Sequence, residues 1–333
     1  MSTILLTGAG GAAIPDLIRH LQGLGHRVLT CDMDPHAAGL YLGDGGFVVP
    51  KATDPEFVGA LCRTASFQCA DILIPLVDEE LPLSRKAWPQ TVLLPTDEFV
   101  QTCLDKWNLI RTLRRDYQIH IPYSSLFDGL TEPWYPAIIK PRVGRGSRGV
   151  HRFEHHGELQ QALIDGRIRY SPDLIAQEYI DGPEYTVSVV VDQSNTVHAV
   201  VPKRIILKQG ATRLAVTERN YKIDFLCREI AEKLNPCGPF NVQLRLRDGK
   251  PYIFEINPRF SGTVNLTIAA GCDEVGGLIE LALGHPYTFG EWREGVVLVR
   301  QTHDATMDLG EFQGKAPKTT AGEKNRELAQ CEF

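Results

Sequence analysis

Residues 241–259, NVQLRLRDGKPYIFEINPR, contain two strand-like runs and a polar pattern that favours a functional role. Two strand-like runs flank the turn sequence RDGK, so the segment predicts an antiparallel hairpin. Side chains alternate along a strand, which places Glu255 and Asn257 on one face, and Gln243 of the partner strand is expected beside them. Their oxygen atoms are ligands that hard cations such as Mg²⁺ prefer. The hairpin therefore predicts a metal site.

Arg259 lies just beyond this hairpin, after Pro258. Its planar guanidinium has the geometry to clamp a phosphoryl or carboxylate group. A single glutamate on a strand usually faces solvent, but an ExNPR run opposite an NxQ run favours a functional role for the whole set.

A glycine-rich basic loop is predicted at residues 140–149, KPRVGRGSRG, after a short strand-like run. Three glycines let backbone N–H groups approach an anion. Lys140, Arg142, Arg145 and Arg148 add positive charge, which suits a nucleotide polyphosphate. The loop is not a Walker A motif, and taken alone its residues fit a solvated basic turn equally well.

A hinge is predicted at residues 177–187, QEYIDGPEYTV, where one strand ends, the chain turns at Gly182 and a second strand starts. Such a hinge offers main-chain donors and acceptors to an adenine edge, and Glu184 has the chemistry to accept ribose hydroxyls. Taken alone, the pattern is also that of an ordinary β-turn with surface acids.

The first hundred residues alternate short strands with helices, which predicts a parallel sheet wound on both faces and hence a Rossmann-like lobe. The predicted elements are strands at residues 4–7, 27–31, 47–49 and 71–75 and a helix at residues 14–24. A linker helix is expected at residues 96–115.

A small α+β lobe and a β-rich lobe are expected after the linker. The predicted small-lobe elements are strands at 137–140, 150–153 and 174–180 and a helix at 158–164. The predicted elements of the β-rich lobe are strands at 185–192, 197–207, 241–247 and 251–256 and helices at 224–234 and 275–283. The sequence after residue 310 is polar and lacks periodicity, so we expect a poorly ordered tail.

Taken in order, these motifs resemble the ATP-grasp superfamily, in the branch similar to the carbamoyl-phosphate synthetase large chain and biotin carboxylase. The resemblance covers about residues 3–310. It implies an α/β and α+β ATP-grasp fold with an N-terminal Rossmann-like, or pre-ATP-grasp, lobe. The implied domains are residues 1–104 (N-terminal lobe), 105–182 (linker helix and small lobe), 183–310 (C-terminal lobe with the metal site) and 311–333 (polar tail).

The resemblance also implies an activity: an ADP-forming ligase that phosphorylates a small carboxylate with ATP and transfers the acyl group to an amine. The implied nucleotide-binding residues, in chain order, are Lys106, Lys140, Gly144, Arg145, Gly146, Ser147, Glu178, Tyr179, Ile180 and Glu184. The implied ligands of Mg²⁺, or of Mn²⁺ in its place, are Gln243, Glu255 and Asn257. Arg259 and Lys140 are the implied catalytic residues at the transferring phosphoryl group.

Residues 203–219 depart from both namesakes, which leaves the roles of Lys203, Arg204, Thr212 and Arg213 unassigned. The later domains of the namesakes have no counterpart here. The size of the chain favours the stand-alone amide- or peptide-forming ligases of the superfamily.

A competing signal lies at residues 8–13, GAGGAA, which match the dinucleotide fingerprint after a strand, with Asp32 or Asp34 ending the next strand. One alternative is therefore an NAD-dependent oxidoreductase, and another is an ATP-binding module without chemistry. ATP-grasp proteins resemble this pattern in their N-terminal lobe, where the glycines serve packing and the lobe shapes the substrate site. The acids at residues 78–80 are expected to face either an amine substrate or water.

The composition is that of an ordinary globular protein with a net charge of −6, which does not indicate a nucleic-acid partner. No apolar run approaches the ~18 residues of a membrane span, and residues 1–7 lack the features of a secretory leader. We expect a cytoplasmic protein with reduced cysteines that acts on a small carboxylate and a small amine, amino acids among them. A homodimer is compatible with the sequence.

Overall fold

The computed structural model describes residues 1–116, 119–301 and 304–319. Its N-terminal lobe is a parallel sheet covered on both faces by helices. The elements are β1 (Thr3–Thr7), α1 (Ile14–Gly23), β2 (Arg27–Asp32), α2 (Gly39–Leu42), β3 (Gly45–Val48), α3 (Phe57–Phe67), β4 (Ile72–Ile74), α4 (Leu81–Ala87) and β5 (Thr91–Val92). Strands β1 and β4 are almost wholly buried because the sheet has no solvent face.

The predicted Rossmann-like lobe is confirmed, with each predicted strand and helix within two residues of its observed bounds. The sheet order β3-β2-β1-β4-β5 places β1 at the centre. The loops after β1 and β4 therefore leave the same carboxyl edge of the sheet side by side. Helices α2, α3 and α4 and strand β5 were not predicted.

The prediction of a single linker helix at residues 96–115 is wrong. Two helices, α5 (Asp97–Leu104) and α6 (Lys106–Arg111), meet at Asp105, and a π-helical turn follows at Thr112–Asp116. Asp105 has extended backbone angles, and its carboxylate accepts hydrogen bonds from the amides of Trp107 and Asn108. This N-cap ends one helix and starts the next, which makes Lys106 the first residue of α6.

The small lobe is an antiparallel sheet of order β6-β9-β7-β8 with one helix packed on it. Its elements are β6 (Ser124–Phe127), β7 (Ala137–Pro141), β8 (His151–Phe153), α7 (His156–Ile164) and β9 (Ser171–Glu178). The predicted elements of this lobe are confirmed, and β6 was not predicted. Because β7 lies inside the sheet, the loop that follows it starts from a fixed position.

The C-terminal lobe is a six-stranded antiparallel sheet of order β14-β13-β10-β11-β12-β15. Its elements are β10 (Glu184–Val191), β11 (Val197–Gln209), β12 (Ala211–Thr217), α8 (Tyr221–Leu234), β13 (Phe240–Arg247), β14 (Lys250–Asn257), α9 (Val264–Ala269), α10 (Glu274–Ala282) and β15 (Val297–Val299). One face packs on α8 and the other on α10 and α1, so the N-terminal lobe shares a hydrophobic core with this sheet. The predicted elements are confirmed, whereas β12, α9 and β15 were not predicted.

The expectation of a poorly ordered tail is wrong for its described part. Helix α11 (Leu309–Gly314) and strand β16 (Lys318–Thr319) follow the C-terminal lobe, and β16 pairs with β3 at the edge of the N-terminal sheet. The rings of Phe312 and Tyr41 stack at 5.1 Å, which adds an apolar contact. Residues 320–333 of the predicted tail lie outside the described residues.

Within the described ranges, no helix has the length and apolar character needed to cross a bilayer. No disulfide joins the cysteines of the same ranges. The domain boundaries given above stay a prediction.

Candidate active site

Two adjoining cavities lie where the three lobes meet. The first cavity lies between the small-lobe sheet and the β13–β14 hairpin, and all of the predicted nucleotide-binding residues line it. The second cavity, of ≈ 420 Å³, lies between the hairpin and the carboxyl edge of the N-terminal sheet. Gln243 and Glu255 line both cavities, and Asn257 and Arg259 line the second. The structure thus brings every predicted site residue to one connected region.

Lys140, at the end of β7, is buried in the first cavity. Its ammonium group donates to the Gln177 side-chain oxygen at 2.8 Å and to the Phe254 carbonyl at 3.2 Å. Burial lowers the pKa of Lys140 to about 8, although the negative charge of Glu255 opposes this effect. A polyphosphate would favour the charged state further, because a nearby anion favours the protonated amine.

Lys106 joins the predicted phosphate loop to the predicted metal ligands. Its Nζ lies 2.7 Å from the Gly144 carbonyl and 3.3 Å from Glu255 Oε1, and only 8% of the residue is exposed. The N-cap at Asp105 fixes this direction, since it puts Lys106 in the first turn of α6. The structure thus places Lys106 between the glycine-rich loop and Glu255, through a helix break that the sequence did not predict.

The glycine-rich loop, residues 142–149, lines both cavities. Gly146 and Ser147 have positive φ angles of 66° and 58°, a backbone region that glycine adopts without strain and serine adopts uncommonly. Arg142 pairs with Asp105 at 2.6 Å, which anchors the base of the loop to the linker. Arg145 pairs with Glu79 of the N-terminal lobe at 2.7 Å, so the loop spans the cleft as a lid.

The predicted adenine hinge is held by ion pairs. Glu178 accepts from Arg247 at 2.5 Å and from the Tyr123 amide at 3.2 Å. Glu184 accepts from Arg245 at 2.6 Å and from Lys208 at 2.9 Å. The side chain of Glu178 thus holds the hinge in shape, and contact with adenine would fall to main-chain groups of the same segment.

A β-bulge in β14 decides which groups of the β13–β14 hairpin face the cavities. Gln243 pairs with Glu255, but the next pair is Leu244 with Ile253, so Phe254 is the extra residue. The bulge reverses the alternation of side chains, which keeps both Ile253 and Ile256 in the core. It also leaves the Phe254 carbonyl facing Lys140.

The predicted metal ligands form a set with one carboxylate and two amides. Among the described residues no three His, Cys, Asp or Glu side chains gather as a metal centre. Asn257 donates to the Asn241 side-chain oxygen at 3.2 Å, which directs its own amide. Such a set fits a Mg²⁺ ion that shares its remaining positions with phosphate oxygens and water, the usual arrangement for Mg²⁺ at nucleotide sites.

The dinucleotide-like loop at residues 8–13 forms a wall of the second cavity. The Asp32 carboxylate accepts from the Gly10 amide at 2.8 Å and from the Asp34 amide at 3.0 Å. The acid that would bind a ribose in an NAD site is therefore engaged with its own loop. The loop shapes the second cavity, as expected of an N-terminal lobe in an ATP-grasp fold.

The acids at residues 78–80 lie in three different environments. Asp78 pairs with Arg259 at 2.6 Å, and Glu79 pairs with Arg145 of the lid. Glu80 is buried in the wall of the second cavity. Each of the three acids thus has a protein environment of its own. The partner of Asp78 lies on the C-terminal lobe, and the partner of Glu79 lies on the small lobe.

The segment at residues 203–219, which the sequence left unassigned, contributes a buried network beneath the second cavity. Lys203 is fully buried and donates to Ser188 and Thr267, each at 2.7 Å, and Ser188 donates to Glu274 at 2.9 Å. Burial lowers the pKa of Lys203 to about 8, against the effect of Glu274. The network ties β10 and β11 to α9 and α10, which is a structural role.

The other residues of this segment lie around the rim. Arg204 pairs with Glu218 at 2.6 Å, and Thr212 lines the second cavity. The Arg213 carbonyl accepts from the amide of Arg300, a cavity-lining residue that the sequence did not predict. No motif marks Arg300, so the sequence contains no signal for it.

Two family models match the chain. Residues 170–304 match the family described as "ATP-grasp in the biosynthetic pathway with Ter operon", and residues 4–91 match the "PylC-like, N-terminal domain". Residues 92–169, which lie between the two matched segments, include the linker helices and most of the small lobe.

Curated relatives match over part of their length. An uncharacterised protein of Sinorhizobium fredii is 26% identical over 189 residues, which are 52% of this chain and 40% of the relative. The carbamoyl phosphate synthase large chain of Halobacterium salinarum is 30% identical over 145 residues, 40% of this chain and 14% of the relative. The chain thus spans less than half the length of these relatives.

Solved structures share the fold over most of the chain. The L-amino acid ligase from Bacillus licheniformis superposes with a TM-score of 0.67 at 19% identity, covering 85% of this chain and 74% of the ligase. The biotin carboxylase of Campylobacter jejuni superposes with a TM-score of 0.66 at 17% identity, covering 86% of this chain and 72% of that structure. The chain has an ATP-grasp fold, and its two matched segments are similar to an ATP-grasp domain and to a PylC-like N-terminal domain. The predicted superfamily and fold class are confirmed.

Proposed function

We propose that the protein is an ATP-dependent carboxylate–amine ligase that forms an amide or peptide bond through an acyl phosphate and releases ADP and phosphate. The supporting observation is the junction of the two cavities at Glu255 and Gln243. One side of this junction carries the two buried lysines and the lid, and the other side carries Arg259 and the N-terminal lobe. A nucleotide in the first cavity would present its terminal phosphate to a substrate in the second.

The chemistry explains why these charges are needed. A carboxylate is a poor electrophile because its leaving group would be oxide, and phosphorylation turns it into a mixed anhydride that an amine can attack. Phosphoryl transfer asks the protein mainly to position the reactants and to neutralise charge. Lys106 and Lys140 would offset the charge of the departing diphosphate, and Arg259 would hold the transferring group or the carboxylate that receives it.

The residues of the hairpin fit a magnesium ion, which would be held by Gln243, Glu255 and Asn257 and, when bound, would supply neutralisation of the phosphate charge. The ion pair between Lys106 and Glu255 keeps the carboxylate directed at the junction of the cavities. The lid, held to the N-terminal lobe through Arg145, would exclude water from the acyl phosphate.

Relatives and neighbours support a small carboxylate and a small amine as substrates. One solved neighbour is described as an L-amino acid ligase, and one curated relative as a D-alanine–D-alanine ligase that is 40% identical over 58 residues. Both names describe the joining of a carboxylate to an amine. We place this chain in the same reaction class, as a cytoplasmic enzyme.

The test begins with a screen of amino-acid pairs for phosphate release that requires MgATP and the purified protein. The carboxylate of an active pair is then labelled with ¹⁸O. An acyl-phosphate route transfers one carboxylate oxygen to inorganic phosphate when the amine displaces it, so the label should appear there. Label in AMP, or phosphate release that never requires a carboxylate, would overturn the proposal.

A further inference from the structure

Lys208 lies at the tip of the hairpin formed by β11 and β12, and it lines both cavities. Gly210 makes the turn with a positive φ of 68°, and the strand pairing shifts register on either side of Leu207. The outer part of the hairpin, residues 206–211, is exposed. This tip belongs to the segment that departs from both namesakes, and it borders the junction of the two cavities.

The Glu184 carboxylate, which the sequence assigns to ribose hydroxyls, is already occupied. Its Oε2 accepts from Arg245 at 2.6 Å, and its Oε1 accepts from Lys208 at 2.9 Å. Only 13% of the Glu184 side chain is exposed. A ribose would therefore meet an acceptor that two cations already neutralise, and its full access to an oxygen requires one of the two cations to leave.

Lys208 is the cation that is free to leave. The Arg245 guanidinium also donates to the Tyr179 hydroxyl at 2.9 Å and to the Gly182 carbonyl at 3.1 Å, so three contacts hold it against the hinge. In the described part of the chain, Glu184 is the one hydrogen-bond partner of the Lys208 ammonium group. The lysine has a flexible stem, and 33% of its side chain is exposed.

The charge of Lys208 acts on the group that we expect at the polyphosphate. Burial is the main cause of the lowered pKa of Lys140, and the positive charges of Lys106 and Lys208 add to this effect. The three ammonium groups therefore lie within electrostatic reach of one another. An anion placed among them would attract all three, because opposite charges favour one another most strongly where water is partly excluded.

We propose that Lys208 responds to the nucleotide: it pairs with Glu184 while the first cavity is empty, and it pairs with the polyphosphate once ribose hydroxyls replace it at Glu184. The inference rests on the proposed ligase, for which it names a device that couples the two cavities. Gly210, Ala211 and Thr212 of the same hairpin tip line the second cavity. Movement of Lys208 toward the phosphates thus reshapes the cavity for the second reactant, so the nucleotide binds first.

The test compares ADP with 2′,3′-dideoxy-ADP, each with Mg²⁺, by titration calorimetry on the full chain. Lys208→Met removes the charge and keeps an unbranched stem. Its affinity for ADP should fall by about 10-fold, the low end for a hydrogen bond to a charged group, because the polyphosphate loses a cation. Its preference for ADP over the dideoxy nucleotide should rise by about 2- to 5-fold, the range for a partly exposed ion pair, because the hydroxyls no longer displace a lysine.

The second quantity separates this role from a structural one. A lysine that merely directs Glu184 would lower the preference for ribose hydroxyls when it is removed. Lys208→Arg restores the charge and should keep the ADP affinity close to that of the original protein. The matched control is Lys86→Met, because Lys86 is exposed on α4 and lines neither cavity, and it should change neither quantity.

Two results would overturn the inference: an unchanged affinity of Lys208→Met for ADP, or a preference for ADP over the dideoxy nucleotide that stays the same or falls in this variant. Circular dichroism checks that the variant is folded. Failure of ADP with Mg²⁺ to bind the original protein would instead overturn the proposed ligase.

Discussion

Arg259 Nε lies 2.6 Å from Asp78 Oδ1, and this ion pair joins the C-terminal sheet to the N-terminal lobe across the second cavity. Arg259 follows β14, and Asp78 follows the strand next to β1. Both side chains are largely buried, with 18% and 11% of their surface exposed. The N-terminal lobe thus fixes the direction of the arginine that we expect at the transferring phosphoryl group.

Asp78→Asn should lower kcat by about 10- to 100-fold, the range that follows from a small displacement of a reacting group. MgATP affinity should stay near that of the original protein, since Asp78 does not line the first cavity. Both quantities are measured with the substrate pair found by the phosphate-release screen. Asp97→Asn, an exposed position on α5, serves as control. An unchanged kcat would show that Arg259 keeps its direction without Asp78.

Glu255→Gln should abolish turnover and leave the fold intact. The substitution removes the only carboxylate of the predicted magnesium ligands and the ion pair with Lys106 at 3.3 Å. The loss should be at least ~10²-fold in rate if charge stabilisation at the phosphoryl group is the main catalytic effect. Activity is measured at saturating MgATP, and circular dichroism checks the fold. Near-normal activity in a well-folded variant would remove Glu255 from the site.

The protonation state of Lys140 should make the affinity for MgATP depend on pH. Because burial lowers the pKa of Lys140 from 10.5 to about 8, the ammonium form is depleted as the pH rises through 8. Polyphosphate binding requires the charged form, so MgATP affinity should fall by up to ~10-fold for each pH unit above 8. Titration calorimetry from pH 7 to 9.5, in buffers of different ionisation enthalpy, measures the affinity and the proton uptake that accompanies it.

Lys140→Arg is the matched control, since an arginine stays charged throughout this range. Its MgATP affinity, whatever its absolute value, should not depend on pH above 8. A flat profile for the original protein, or an equally steep one for the variant, would contradict the role assigned to the Lys140 ammonium group.

Local sequence predicted the elements and the hairpin residues because these depend on short-range periodicity. Glu255 and Asn257 lie two residues apart on β14, so their shared face follows from strand geometry alone. The bulge at Phe254 could not be predicted, because it depends on how the core accepts both Ile253 and Ile256. The helix break at Asp105 was missed because the helical pattern continues on both sides of it, and a side-chain cap ends the helix there.

The site residues that sequence analysis left open are those whose partners are distant along the chain. Asp78 and Arg259 are 181 positions apart, and Glu79 and Arg145 are 66 apart. Nothing in the run DEE distinguishes an acid that pairs with an arginine from one that is buried with an oxygen lacking a hydrogen-bond partner among the described residues, as Glu80 is. Only the packing of the lobes against one another decides between these environments.

MgATP should raise the melting temperature, and NAD should not. The Asp32 carboxylate accepts from the amides of Gly10 and Asp34, so it already serves to hold its own loop in shape. A ligand at 100 times its Kd stabilises the native state by about 2.7 kcal/mol, which a thermal-shift assay resolves. ADP with Mg²⁺ is the positive control. A saturable shift with NAD alone would favour the oxidoreductase alternative.

The stability of the protein should depend on pH through Glu80. Burial, with the charge of Asp32, raises the pKa of Glu80 from 4.5 to about 7, against the opposing effects of Thr7 and Arg145. Well below pH 4.5 the carboxyl is protonated in both the folded and the unfolded chain. As the pH rises toward 7 the unfolded chain ionises first, which lowers the free energy of unfolding by up to about 3 kcal/mol once both states are ionised.

Glu80→Gln removes this dependence, since an amide does not titrate. Without ligand, the variant should therefore gain stability relative to the original protein between pH 5 and 8, as measured by urea unfolding at each pH. Asp32, Glu79 and Cys31 are present in both proteins, so their own contributions largely cancel in the difference. Glu98→Gln, at an exposed position, should show a constant difference. A constant difference for Glu80→Gln as well would mean that Glu80 is ionised in the folded protein throughout, with a cation beside it that the described residues do not supply.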